Sequence, residues 1–234
     1  MSTDKQELRK GCWKAIRAAG AARFPGVEGR IPNFVGAEAA AERLCQTDAF
    51  QRAKVIKCNP DSPQRPFRYA ALKAGKIILM AVPKLKSAAC FIELDPGRID
   101  NLWKASSAKG AAELGSPKRP EELPPVDMIV TGCVGVGTAG RRLGKGGGYA
   151  DLEYGILLET GKINHDITVA TTVHNCQVLM SEMVPRSKWD LSIDIIATPT
   201  KLICPEPLVR GEGIYWDSLS EEKIAAIPFL ATRR

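Results

Sequence analysis

Arg141-Arg142-Leu143-Gly144-Lys145-Gly146-Gly147-Gly148-Tyr149-Ala150-Asp151 is the most informative run of this chain. Four glycines and three cations fall within its eleven residues. Glycine lacks a Cβ, so successive backbone N–H groups can point into one concavity and meet a large anion closely. Arginine grips phosphate in a bidentate fork, and lysine adds a mobile positive charge. Asp151 supplies a carboxylate that can share a divalent cation with phosphate oxygens. Composition alone does not separate such a cradle from a flexible basic turn. Its neighbours narrow the choice. An apolar, β-branched run from 128 to 134 precedes it and reads as a buried strand, and a helix from 149 to 160, closed by Gly161, follows.

Outward from this unit, helices and short β-rich runs alternate. Residues 4–19 predict a helix, with Thr3 and Gln6 as a capping box, Gly20 as its stop, and Leu8, Cys12, Ala15, Ile16 and Ala19 as its apolar stripe. Lys5 and Arg9 lie one turn apart on that helix and share a face. Helices at 37–44 and 67–74 alternate with strands at 54–58, 76–82 and 88–94. Between them, Asn59-Pro60-Asp61-Ser62-Pro63-Gln64-Arg65-Pro66 carries three prolines and reads as a rigid loop. Residues 104–126 read as the least structured stretch, and within it residues 116–125 read as a surface connector. Strands at 167–173 and 191–197 follow. From Pro205 the chain reads as irregular, with one short helix near 220–226. The alternation predicts an α/β fold with a mainly parallel sheet over a single domain, 1–234. Ligands gather at the carboxyl ends of such strands, where the glycine loop falls.

Composition bounds the function classes. The chain has 234 residues, 44% hydrophobic and 25% charged, as ordinary globular proteins have. Its longest apolar stretches are strand-sized, and its first residues are polar, so the expectation is a cytoplasmic protein without a membrane partner. Seven cysteines are scattered without a C-x-x-C pair, which argues against a zinc knuckle or a disulfide framework. Two histidines exclude a multi-histidine metal site. The net charge of +7 favours anionic partners. Without a recognition motif for it, nucleic acid is not the expected partner.

Two look-alike motifs fail on physical grounds. Gly135-Val136-Gly137-Thr138-Ala139-Gly140 fits G-x-G-x-x-G, but the glycine-rich run after it cannot open the helix that a dinucleotide fold requires. A Walker A loop fails because Gly146 stands where a magnesium-binding Ser or Thr is needed. His174, at a strand end near Asn175 and Gln177, could serve as an acid or base but reads first as a hydrogen-bonded structural residue, and Cys176 beside it lacks a partner for nucleophilic work and reads as core.

The segment from Asp127 to Asp151 resembles the signature of 5-formyltetrahydrofolate cyclo-ligases, also called methenyltetrahydrofolate synthetases: a strand, a short loop, then R-L-G-x-G-x-G-Y-Y-D. Arg142, Leu143, Gly144, Gly146, Gly148, Tyr149 and Asp151 match it. Lys5 and Arg9 match the family's K-x-x-x-R helix, and Asp194 matches an aspartate in a late β-rich segment, with Asp190 nearby. The resemblance implies a three-layer α/β/α fold of the ribose-phosphate isomerase and CoA transferase type. It also implies a reaction in which ATP and Mg2+ activate the formyl oxygen of 5-formyltetrahydrofolate and N10 closes on the activated carbon, giving 5,10-methenyltetrahydrofolate.

Residue by residue, the resemblance implies nucleotide binding by Lys5, Arg9, Arg142, Leu143, Gly144, Lys145, Gly146, Gly147, Gly148 and Tyr149. Of these, Arg142, Lys145 and Tyr149 are expected at the reacting groups, with Asp151 and Asp194 converging on the metal. The chain departs from the pattern at Ala150, in place of the second tyrosine, and at Gly132, Val136 and Gly137. It departs also at Gln64 or Arg65, where the family has a glutamate that helps hold the pterin. The expectation is a kept nucleotide half, a rebuilt substrate half, and weak or absent turnover of 5-formyltetrahydrofolate. Binding of another phosphorylated metabolite in cofactor salvage, and a noncatalytic RNA-binding module, are the alternatives.

Overall fold

The computed structural model describes residues 4–233. The elements in chain order are α1 (Lys5–Ala18), α2 (Ala37–Cys45), α3 (Asp48–Arg52), β1 (Val55–Cys58), α4 (Arg65–Lys73), β2 (Ile77–Ala81) and β3 (Phe91–Leu94). Then come α5 (Leu102–Ala105), α6 (Ala108–Leu114), β4 (Ser116–Lys118), β5 (Met128–Val130), β6 (Gly135–Gly137), β7 (Arg142–Leu143) and α7 (Tyr149–Glu159). The last are β8 (Thr168–Thr172), β9 (Val178–Leu179), β10 (Ile195–Ala197), β11 (Leu202–Ile203), α8 (Glu221–Ala226) and α9 (Pro228–Ala231).

Eight strands form the main sheet in the order β11-β10-β8-β5-β1-β2-β3-β4. The run from β10 to β2 is parallel, and β3, β4 and β11 add antiparallel edges. Strand β5 sits centrally, between β8 and β1. Side chains alternate across the pleat. Val55, Leu79 and Ile129 pack on the face covered by α7, α8 and α9, while Ile56, Ile78 and Met128 pack on the face covered by α2 and α4. The result is the expected three-layer α/β/α arrangement. Helix α1 lies apart from both faces. Its Leu8, Cys12, Trp13 and Ile16 pack with Val134 and Leu143 over the small sheet β7-β6-β9.

Three expectations need correction. The strand predicted at 128–134 ends at Val130. The Gly132 carbonyl accepts from the Arg142 guanidinium, and the Val134 N–H then donates to Leu143 O, passing the chain to the small sheet. Residues 104–126 are more regular than predicted. Asn101 and Ser107 cap α5 and α6, and β4 pairs with β3 at the sheet edge, the position in a sheet that tolerates Pro117. Third, Thr3 of the predicted capping box lies outside the described residues; Asp4 caps α1, accepting from the Gln6 N–H at 3.0 Å.

The turn between β6 and β7 ties the glycine loop to the rest of the molecule. Gly140 has φ of +80°, its carbonyl accepts from Ile193 N–H at 2.9 Å, and a Cβ there would lie 2.2 Å from Ile193 O. Gly161, after α7, has φ of +66° with open space around it. Gly161→Ala should therefore cost only the left-handed strain, about 1–2 kcal/mol. Gly140→Ala should cost clearly more, because backbone must also move. Chemical denaturation of the two variants checks this; equal losses would refute the account.

Candidate active site

A cavity of about 940 Å³ opens between α1, the 59–62 loop, the glycine loop with the first turns of α7, and the 211–223 segment. It lies at the carboxyl-end side of β1, since Asn59, Pro60 and Asp61 directly follow that strand and line it. The residues expected from the sequence at the nucleotide end, Lys5, Arg9, Arg142, Gly144, Lys145, Gly146, Gly147, Gly148 and Tyr149, all line this cavity, and so does Asp151. Leu143 does not; it is buried beneath the loop with α1 and fixes the loop's root.

The cations are held in place by the chain itself. Arg9 Nε donates to Gly144 O at 2.7 Å across 135 residues of sequence. Lys5 Nζ lies 2.5 Å from Asp190 Oδ2, and Lys145 Nζ 3.6 Å from Asp61 Oδ1. Arg142 clamps Gly132 O through Nε and Nη2 at 3.2 and 3.1 Å and reaches Asp151 Oδ1 at 3.5 Å. Burial is the largest influence on Arg142 and opposes its charge, but Asp151, Cys133, Glu153 and Asp61 together exceed it and the guanidinium pKa rises. Burial lowers the pKa of Arg9. Gly148 caps α7 in the left-handed conformation with no side-chain cap, leaving the first-turn N–H groups of an eleven-residue helix for an anion.

Sequence reasoning missed Lys223. From α8 it donates to Gly147 O at 2.9 Å and stands 4.9 Å above the Tyr149 ring; burial lowers its pKa. No local pattern marks it, because only tertiary packing brings residue 223 to residue 147.

The two expected metal ligands are not brought together at the cavity. Asp151 lines it, with Oδ1 accepting from Leu191 N–H at 2.9 Å. Asp194 precedes β10, at the amino end of a parallel strand. Its Oδ2 accepts from Val169 N–H at 2.7 Å and from Arg210, and it does not line the cavity. Asp190 is the acid of that segment that does. Among the described residues no group of three or more His, Cys, Asp or Glu side chains could hold a metal. Magnesium needs only one or two carboxylates beside phosphate oxygens and water, so Asp151 fits it and Asp194 does not.

The floor is a buried polar cluster. Glu153 Oε2 accepts from Lys57 Nζ and from Asn59 Nδ2, the latter at 3.3 Å, and Lys57 Nζ lies 3.2 Å from Asn59 Oδ1. Arg68, itself 1% exposed, donates to the carbonyls of Asn59, Pro60, Asp61 and Ser106 at 2.5, 3.3, 3.1 and 2.8 Å. Gln64 is buried against Thr172, and Arg65 stacks on Trp103, 4.0 Å from its ring centroid. Acids nevertheless reach the cavity: Asp61 from the same loop, and Glu153 from α7. His174 caps the 175–177 turn beside Cys176 and Phe34 and does not line the cavity.

Residues 1–199 match the model of the 5-formyltetrahydrofolate cyclo-ligase family. The chain is 36% identical over 237 residues to a methenyltetrahydrofolate synthase domain-containing protein of Bos taurus, covering 98% of this chain and 62% of that protein. With the Mus musculus protein of the same name it shares 37% identity, covering 98% and 63% respectively. The chain thus spans less than two thirds of the length of these relatives. In structure it is similar to Aquifex aeolicus 5,10-methenyltetrahydrofolate synthetase, with a TM-score of 0.55 at 20% identity, covering 92% of this chain and 99% of that one. The matched residues run through the glycine loop, α1 and the whole parallel sheet, and this chain belongs to the 5-formyltetrahydrofolate cyclo-ligase family.

Proposed function

We propose that this chain binds ATP with Mg2+ and converts 5-formyltetrahydrofolate to 5,10-methenyltetrahydrofolate. The observation that carries the reading is the convergence of Lys5, Arg9, Arg142, Lys145 and Lys223 on a glycine loop at the uncapped start of α7. Five cations around one loop suit a polyphosphate, whose transfer chemistry rests on positioning and charge neutralisation. Lys145, half exposed, is the freest of them to follow a moving phosphoryl group. Arg142 holds the Gly132 carbonyl, just past the central strand, and Asp151 in register. Bound magnesium would supply charge neutralisation on the phosphates, with Asp151 holding it.

Family membership and the curated relatives support the folate substrate. The changed substrate wall favours slow turnover: Ala150 lines the cavity where the family signature has a second tyrosine, and the lost ring removes stacking surface. The same change favours a second reading, in which the nucleotide half binds and another phosphorylated metabolite fills the rest.

Lys5→Ala with Arg9→Ala should weaken ATP binding at least tenfold, roughly 1.4 kcal/mol. The melting temperature should change little, because both side chains are partly exposed and each gives up a single long-range polar contact. Calorimetric titration checks this, and an unchanged Kd would return both residues to surface charge.

Purified protein with ATP, magnesium and 5-formyltetrahydrofolate should form the absorbing methenyl product slowly and only with ATP. No ATP-dependent product would remove the cyclo-ligase reading and leave the second.

A further inference from the structure

The buried cluster under the cavity has a use that the phosphate end does not give it. Glu153 and Lys57 are 5% and 1% exposed and in direct contact. Such a pair returns little net stability against apolar residues of equal size, so packing alone gives no reason for its presence. Its hydrogen bonding is one-sided. Both donors, Lys57 Nζ and Asn59 Nδ2, go to Oε2. Oε1 has no hydrogen-bond partner among the described residues, yet it is not sealed off, and Glu153 lines the cavity. A buried acceptor held rigid from behind and open in front is left for a ligand donor.

We propose that Glu153 is the specificity-determining acceptor for the donor edge of a 2-amino-4-oxopyrimidine ring, as in a pterin, with Lys57 as its positioning residue. The proposal rests on the folate reading above and names the residue that makes it specific. Val82, Ala150, Leu152 and Ile214 line the same cavity and offer apolar surface to a flat heteroaromatic ring. The 2-amino and N3–H groups of the ring donate and cannot accept, which suits an unpaired carboxylate oxygen and opposes the nearby lysine. Gln64 and Arg65, turned to Thr172 and Trp103, do not compete for this role.

The test measures Kd for 5-formyltetrahydrofolate, for 6-hydroxymethylpterin and for the 2-desamino form of that pterin, with ATP as control. Wild type, Glu153→Gln and Glu153→Asp are compared. The aspartate keeps the charge opposite Lys57 but withdraws it by one methylene, and serves if the amide variant does not fold. Each variant should lose at least tenfold in pterin affinity while ATP affinity stays within twofold. Removing the 2-amino group should cost wild type a similar factor and cost the variants nothing further. Equal pterin affinity in wild type and variants, equal affinity for the desamino ligand, or no pterin binding by wild type would overturn the proposal. Glu153-dependent pterin binding without ATP-dependent product would keep it and remove the cyclo-ligase reading. Turnover with a KM indifferent to Glu153 would do the reverse.

Discussion

One guanidinium organises the cavity. Arg68 projects from α4 and takes four carbonyls, three of them consecutive in the loop after β1. A loop with three prolines has few N–H groups of its own with which to satisfy such carbonyls. Buried carbonyls without donors would cost more than the loop could return. Arg68 removes that cost and makes the loop's path unique. Burial works against its charge and lowers its pKa, opposed only in part by Cys58 and Asp61. The positions of Asn59, and through it Glu153 and Lys57, follow from that path.

The molecule uses two sheets for separate tasks. The main sheet carries the floor, with Lys57 in its interior and Asn59 just past the end of β1. The small sheet carries the glycine loop, gripped by α1 from outside and by Gly140 and Arg141 bridging to the 192–193 segment. Arg142 spans the two, since its guanidinium holds the Gly132 carbonyl, two residues past the central strand, while its backbone belongs to β7. The 211–223 segment closes the remaining wall, although the family model ends at residue 199. Gly155 permits this closure: a Cβ there would lie 2.9 Å from Gly213 O.

The periodic parts of the chain were legible. The central strand, the helix after the glycine run, and the shared face of Lys5 and Arg9 all follow from spacing, because neighbours along the chain make those patterns. Asp194 shows where pattern fails. It sits in a β-rich run much as an active-site acid does, but a parallel strand has its ligand side only at its carboxyl end, and Asp194 precedes β10. Deciding between Asp190 and Asp194 required knowing where the strand begins. Glu153 was hidden for another reason: its meaning lies in Lys57, 96 residues away, and a lone glutamate on a helix reads as surface. The helices α5 and α6 were hidden by prolines that in fact come after them, at an edge strand.

Helix α7 acts as a ruler. Its uncapped start faces the glycine loop, and Glu153 stands on its second turn, five residues beyond Gly148. At 1.5 Å per residue the two are about 7.5 Å apart along the axis, and 100° per residue fixes the angle between them. Residues 150 and 152 can change size and reshape the wall without altering this registration. Inserting or deleting one residue between 148 and 153 would swing the carboxylate a quarter-turn out of the cavity. Drift by substitution is therefore open to this lineage, whereas a length change in the first turns of α7 is closed, and the interval from the last glycine to the acid is the barcode by which sister sequences with the same floor can be told from those without it.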